Sequence, residues 1–264
     1  MTGAGRPPVL LLHGQPGGAR DWDRVVQALE RRVPTIVVDR PGWDGHSAPR
    51  DLPGNAAAAL ASLDAHGAER ATVVGHSFGA AVAAWLGAAH PERVAALVLL
   101  APAVNGASLQ WIDHWLAAPV VGPLLSTAAL AGPGLALARP HLRDRVAARL
   151  GLDADYLRAV GKRLRRPSSW PSFLVEQRAL IAQLPALEAR LPRIVAPTTI
   201  VIGSADRVVP AASAKLLATQ IAGSELVPLK GAGHLVSLQH PQRVAEITLA
   251  AAARQSSAPA ALRP

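Results

Sequence analysis

Three residues stand where covalent chemistry could be assembled: Ser77, Asp206 and His234. Ser77 is the centre of Gly75-His76-Ser77-Phe78-Gly79, between the apolar run Ala71-Thr72-Val73-Val74 and the small-residue run Ala80 to Ala89. A serine with glycines two residues to either side, between a strand and a helix, fits a sharp turn that strains the serine backbone and lifts its hydroxyl clear of the sheet. The following helix then points its free N–H groups and the positive end of its dipole at charge forming near that hydroxyl. A serine hydroxyl is a poor nucleophile until a base takes its proton. His234 follows Gly231-Ala232-Gly233, and Asp206 follows the buried-strand pattern Thr198 to Gly203; together they supply a base and an acid to orient it. Upstream, His13-Gly14-Gln15-Pro16-Gly17-Gly18 follows the apolar run Val9-Leu10-Leu11-Leu12. Its glycine-rich turn can aim the backbone N–H of Gln15 into the site, where it would join the N–H of Phe78 in a two-donor oxyanion hole.

These groups need a scaffold that brings the ends of several strands together. Strand patterns occur at 9–12, 35–39, 71–75, 94–100, 198–203 and 224–229, and helical patterns at 21–32, 55–66, 79–90, 210–221 and 240–254. The alternation implies an α/β fold, a mostly parallel, doubly wound sheet of about six strands with helices on both faces. Ser77, Asp206 and His234 each lie just past a strand's carboxyl end, where open parallel sheets gather their chemistry. About a hundred residues between 100 and 198 carry no strand pattern, too long for an ordinary crossover. They read as helices near 107–118, 134–150, 153–164 and 171–184. Trp111 and Trp115, four apart on one helical face, and Trp170 either line a substrate pocket or pack this insertion onto the core.

Composition narrows the partners. The formal charge of +9 comes from cations spread along the chain and not interleaved with aromatics, which describes a solvated surface and no nucleic-acid site. There is no cysteine, so disulfide and thiolate chemistry are excluded. No histidines or carboxylates pair at a metal-ligand spacing, and no cofactor motif is present. The N-terminus lacks the pattern of a signal peptide. The uncharged segment 116–138 is broken by Pro119, Pro123 and Pro133 and reads as a pocket cover, so the expected location is cytoplasmic, without membrane insertion.

The motifs His13 to Gly17, Asp39-Arg40-Pro41-Gly42, Gly75 to Gly79, Gly203 to Pro210 and Gly231 to His234 resemble, in order and spacing, the α/β-hydrolase superfamily of the capped kind. The family order is serine, acid, histidine, as in Ser77, Asp206, His234. The resemblance implies a core of 1–104 and 191–255 and a helical cap of 105–190 inserted after strand 94–100; the Ala- and Pro-rich composition of 256–264 reads as a flexible tail. The family's other acid position follows strand 94–100, where this chain has Ala101-Pro102-Ala103-Val104-Asn105 and no carboxylate, which favours Asp206. His13 is expected to be a structural hydrogen-bonder, His76 to point away from the site, and the loop Asp39 to Ser47 to be scaffold at the pocket rim. Family members usually begin with an antiparallel hairpin, but only eight residues precede the first strand here. The apolar strand at 35–39 then becomes an edge that something covers, unless the chain dimerises there or starts further upstream. The implied activity is a serine hydrolase acting on carboxylic esters of small to medium apolar substrates. Carbon–carbon bond hydrolysis, perhydrolysis, thioester and amide cleavage use the same triad, and a non-catalytic ligand receptor is the reading from another class. Serine in place of aspartate at the turn argues against dehalogenases and most epoxide hydrolases.

Overall fold

The computed structural model describes residues 7–29 and 32–254; the expected tail at 256–264 lies outside them. Strands β1 (Val9–Leu12), β2 (Thr35–Val38), β3 (Ala71–His76), β4 (Val94–Leu100), β5 (Thr198–Gly203) and β6 (Glu225–Leu229) form one sheet in the order β2-β1-β3-β4-β5-β6, with every pairing parallel. The central strands are buried on both faces, which is why they read as continuous apolar runs. Their side chains still alternate. Leu10, Leu12, Val73, Leu97, Leu99 and Ile200 pack against α2 (Leu52–Ala65), α3 (Phe78–Ala89) and α9 (Ala211–Gln220). Val9, Leu11, Val74, Val98, Leu100 and Val201 pack against α1 (Asp23–Leu29) and α10 (Pro241–Arg254). The strand at 35–39 is an edge strand, as expected.

The chain leaves β1 toward β2 on one side and leaves β3 toward β4 on the other. The carboxyl ends of β1 and β3 therefore flank a crevice where the winding reverses, the place where open α/β sheets bind ligands. Both glycine-rich turns of the sequence open onto it.

Between β4 and β5 lie five helices: α4 (Trp111–Ala117), α5 (Gly122–Ala138), α6 (Pro140–Leu150), α7 (Ala154–Leu164) and α8 (Ser169–Glu188). Helix α5 continues through Pro133, whereas the proline content of this segment suggested repeated breaks and a helix beginning only at 134. Of its buried face, Ser126 donates its hydroxyl to Leu116 O of α4, and Gly134 and Leu137 seat against α7. The fit depends on small residues: a Cβ at Gly134 would lie 3.1 Å from that of Leu164, and one at Gly161 would lie 2.8 Å from that of Leu137. No single helix among the described residues is long and apolar enough to cross a membrane, and α4 and α5 meet at 108°.

Candidate active site

Ser77 sits at φ 54°, ψ −117°, in the left-handed half of backbone space that side chains avoid, at a cost of about 1–3 kcal/mol. Two glycines make this turn fit. A Cβ at Gly75 would lie 2.3 Å from the Gly79 carbonyl oxygen, and one at Gly79 would lie 2.3 Å from that of Leu12 in β1. The ladder holds the other side, with the Ser77 N–H donating to Leu100 O at 2.9 Å. The N–H groups of Phe78 and Gln15 donate to no acceptor among the described residues, and both residues border the same cavity as Ser77.

His234 reaches the site on the loop after β6. Its Nδ1 lies 2.9 Å from Asp206 Oδ2, while Asp206 Oδ1 accepts the N–H groups of Val208 and Val209 at 2.8 and 2.9 Å. Burial works against the Asp206 charge, but the hydrogen bond and charge of His234 and the two backbone donors outweigh it and hold the carboxyl below its ordinary range. An ionised acceptor on Nδ1 fixes the tautomer and leaves Nε2 as the basic nitrogen.

His76 corrects the expectation that it points elsewhere. Its Nε2 donates to the carbonyl oxygen of His234 at 2.8 Å, and the two rings lie 4.9 Å apart. Burial, then the His234 charge, lowers its pKa to about 3, so it braces the His234 loop as a neutral donor. His13 is buried and structural, as expected: its Nε2 accepts from the Arg40 N–H and its Nδ1 donates to Gly14 O at 2.8 Å. Burial, then Arg40, keeps it well below its ordinary value. Unfolded histidine takes up a proton near pH 6.5 that neither folded ring accepts. Below that pH the unfolded state binds more protons, so stability falls with acidification, from about pH 6.5 down toward pH 3 for His76, by about 1.4 kcal/mol per pH unit for each ring. Urea midpoints across this range should be flatter by one histidine in His76→Gln, which keeps the donor and loses the titration; an unchanged slope would contradict the assignment.

Two cavities meet at Gln15 and Val208. One, of about 230 Å³, is bordered by Ser77, Phe78, Ile112, Leu116, Phe173 and Leu180. The other, of about 370 Å³, is bordered by His234, Leu235, Leu157 and Val160, with Asp21, Tyr156 and Arg163 among its polar members. The tryptophan expectations need correction. Trp111 and Trp115 do share a face of α4, but it is the outer one, 72% and 53% exposed. The inward face is set by Asp113, whose carboxylate accepts from Gln177 at 3.0 Å and from the Gln110 N–H at 2.7 Å, so Ile112 and Leu116 meet the cavity instead. Trp170 supports Phe173 from behind, its Nε1 donating to Leu164 O at 3.0 Å, and does not border the cavity.

Sequence reasoning also passed over Arg40 and Glu176, an ion pair with side chains 2% and 0% exposed that joins the loop after β2 to α8. Its signal was the acid itself: Glu176 shares the inward face of α8 with Phe173, Leu180, Leu184 and Leu187, and a buried carboxylate requires a partner. Among the described residues no group of three or more histidine or acidic side chains is arranged to hold a metal ion.

Residues 7–241 match the family model described as alpha/beta hydrolase fold. The chain is similar to Lipase LipV of Mycobacterium tuberculosis, 41% identical over 124 residues that span 44% of this chain and 46% of the lipase. It is 28% identical to the 2-hydroxy-6-oxononadienedioate/2-hydroxy-6-oxononatrienedioate hydrolase of Klebsiella pneumoniae over 94% of this chain and 87% of that protein. It is 29% identical to the pimeloyl-[acyl-carrier protein] methyl ester esterase of Aeromonas hydrophila over 91% of this chain and 93% of that protein.

Proposed function

The chain belongs to the alpha/beta hydrolase family and is a hydrolase, and on that premise we propose that the bond it cleaves is a carboxylic ester, through an acyl-enzyme on Ser77. The observation that carries this reading is the Asp206–His234 hydrogen bond of 2.9 Å, in a chain whose Ser77 is strained at a helix N-terminus and borders a cavity that shares Gln15 and Val208 with the one His234 borders. Ser77 Oγ attacks the ester carbonyl while His234 Nε2 takes its proton. The N–H groups of Gln15 and Phe78 receive the oxyanion. His234 returns the proton to the leaving alcohol, and water then resolves the acyl-enzyme by the same steps in reverse. The lipase and the methyl ester esterase among the relatives carry ester chemistry in their names.

The two cavities divide the substrate. The leaving oxygen must lie beside His234, so the alcohol occupies the His234 side and the acyl group the smaller Ser77 side. Beyond Ser77 itself, the Ser77 side is apolar apart from Ser108, Asp113, Gln177 and Gln15, and an acyl chain ending in a carboxylate would meet the Asp113 charge. A neutral, short to medium acyl chain fits. Helices α4 and α8 serve as a cap that selects chain length.

A panel of p-nitrophenyl esters, read beside fluorophosphonate labelling of Ser77, tests both statements; absence of labelling and of ester turnover would refute the reading. Phe173→Ala is expected to move the optimum to longer acyl chains, each accommodated methylene being worth about tenfold or more in kcat/KM. The same change should cost about 3 kcal/mol of stability, because Phe173 is buried. Trp111→Ala should leave the length profile unchanged. The opposite pattern would place the outer face of α4, not the inner one, over the substrate.

A further inference from the structure

Arg40 has more partners than a scaffold residue needs. Its Nε donates to His13 O at 2.9 Å and its Nη2 to Gly14 O at 3.0 Å. Nη1 donates to Asn55 Oδ1 at 3.3 Å, and both Nη atoms meet the Glu176 carboxylate. The guanidinium carbon also lies 4.7 Å from the centre of the Phe78 ring. This one side chain therefore touches the two places from which the oxyanion donors are aimed. Gly14 contributes the carbonyl of the peptide whose N–H belongs to Gln15, and a planar trans peptide points its C=O and N–H in opposite directions. Holding the Gly14 oxygen sets the direction of the Gln15 N–H. Two donors hold it: Arg40 Nη2 and His13 Nδ1, the latter at 2.8 Å. A charged donor on the carbonyl also draws electron density from the amide and strengthens its N–H as a donor.

Resting on the ester-hydrolase reading, we propose that Arg40 is a positioning residue of the oxyanion hole, acting through the Gly14 carbonyl and the Phe78 ring, and that Glu176 ties this function to the seating of α8. Arg40 touches no substrate. A guanidinium fits the task because its rigid fork reaches two carbonyl oxygens on one edge and a carboxylate on another, which a lysine ammonium cannot do. Glu176 lies on α8 between Phe173 and Leu180, which border the acyl cavity, so the helix that shapes that cavity also fixes the cation that aims the donors. With α8 unseated, Arg40 loses its counter-charge and the Gly14–Gln15 peptide loses its clamp.

Removing Arg40 alone would leave the Glu176 carboxylate buried without its counter-charge and destabilise the protein for an unrelated reason. The test is therefore the double variant Arg40→Met/Glu176→Leu, with Arg40→Lys beside it. Preorganised donors act on the transition state, so kcat for a p-nitrophenyl ester, per folded molecule, is expected to fall about 10- to 100-fold, less than the 10²–10³ for losing a donor outright. KM should stay within about twofold. Affinity for a trifluoromethyl ketone, whose adduct with Ser77 carries the oxyanion, should weaken by the same factor as kcat/KM. The pH profile should not move, because Asp206 and His234 are untouched. Arg40→Lys should fall between parent and double variant, and it alone decides the matter if the double variant does not fold. The rate of Ser77 phosphonylation by a fluorophosphonate reads the same hole without any ester, so an error about the substrate would not mask the result. A purely structural Arg40 would lower the melting temperature and leave kcat per folded molecule and ketone affinity within threefold of the parent; that outcome, or a loss carried by KM, overturns the proposal.

Discussion

Ser77→Ala is expected to lower kcat for ester hydrolysis by about 10⁵- to 10⁶-fold while the protein stays folded. The size follows from the role: without the hydroxyl there is no acyl-enzyme, and what remains is attack by water helped by the oxyanion donors, a residual of about 10³–10⁴ over the uncatalysed reaction. The fold should survive because alanine keeps the Cβ already accommodated at φ 54°, and the Ser77 N–H still donates to Leu100 O. Among the described residues no hydrogen bond of the Ser77 hydroxyl holds another element in place, so the change in stability should stay below about 1 kcal/mol. Rates on protein purified away from any parent enzyme, with thermal melts alongside, measure both halves. Turnover within a thousandfold of the parent would show that another group attacks the carbonyl.

Much of this was legible in the residues because the signals were local. Glycine at positions 75 and 79 announced a turn in which a Cβ at either site would strike backbone, and apolar runs of four to seven residues announced strands covered on both faces. The motifs past β1, β3, β5 and β6 converge because strand ends in a parallel sheet converge. What stayed hidden depended on distant partners. Helix α4 has apolar side chains on two faces, and the inward one was decided by Gln177, 64 residues from Asp113. Helix α5 survives its prolines because packing against α7 outweighs propensity. Arg40 stood in a motif on a loop read as scaffold at the pocket rim; only the fold shows Glu176, 136 positions away, against it. His76 was set aside on the assumption that neighbours at a sharp turn diverge, yet its ring meets the carbonyl of His234 on the loop after β6.

The second large effect concerns the acid. Asp206→Asn is isosteric, and its outcome turns on which way the amide faces. Asp206 Oδ1 accepts two backbone N–H groups, from Val208 and Val209, while Oδ2 faces His234 Nδ1 at 2.9 Å. An asparagine must keep its oxygen on the two N–H groups, because turning its NH₂ toward them would set donor against donor in a fully shielded position. The NH₂ is thereby forced toward His234, whose Nδ1 becomes the acceptor. The imidazole proton then sits on Nε2, and that nitrogen cannot take the serine proton. The expected result is a loss of about 10⁴ in kcat at neutral pH with little change in the fold, the effect of holding the base in the wrong tautomer. At high pH, hydroxide can substitute in part for the missing base, so the deficit should narrow as pH rises. The parent should not share that trend, since its carboxylate, held below the ordinary range, stays ionised throughout. The Nε2 and Nδ1 resonances of ¹⁵N-labelled His234 report the proton directly: on Nδ1 in the parent, on Nε2 in Asp206→Asn. A variant that keeps more than a tenth of the parent's kcat, or whose imidazole proton remains on Nδ1, would remove Asp206 from the catalytic set and leave His234 to be oriented by another group.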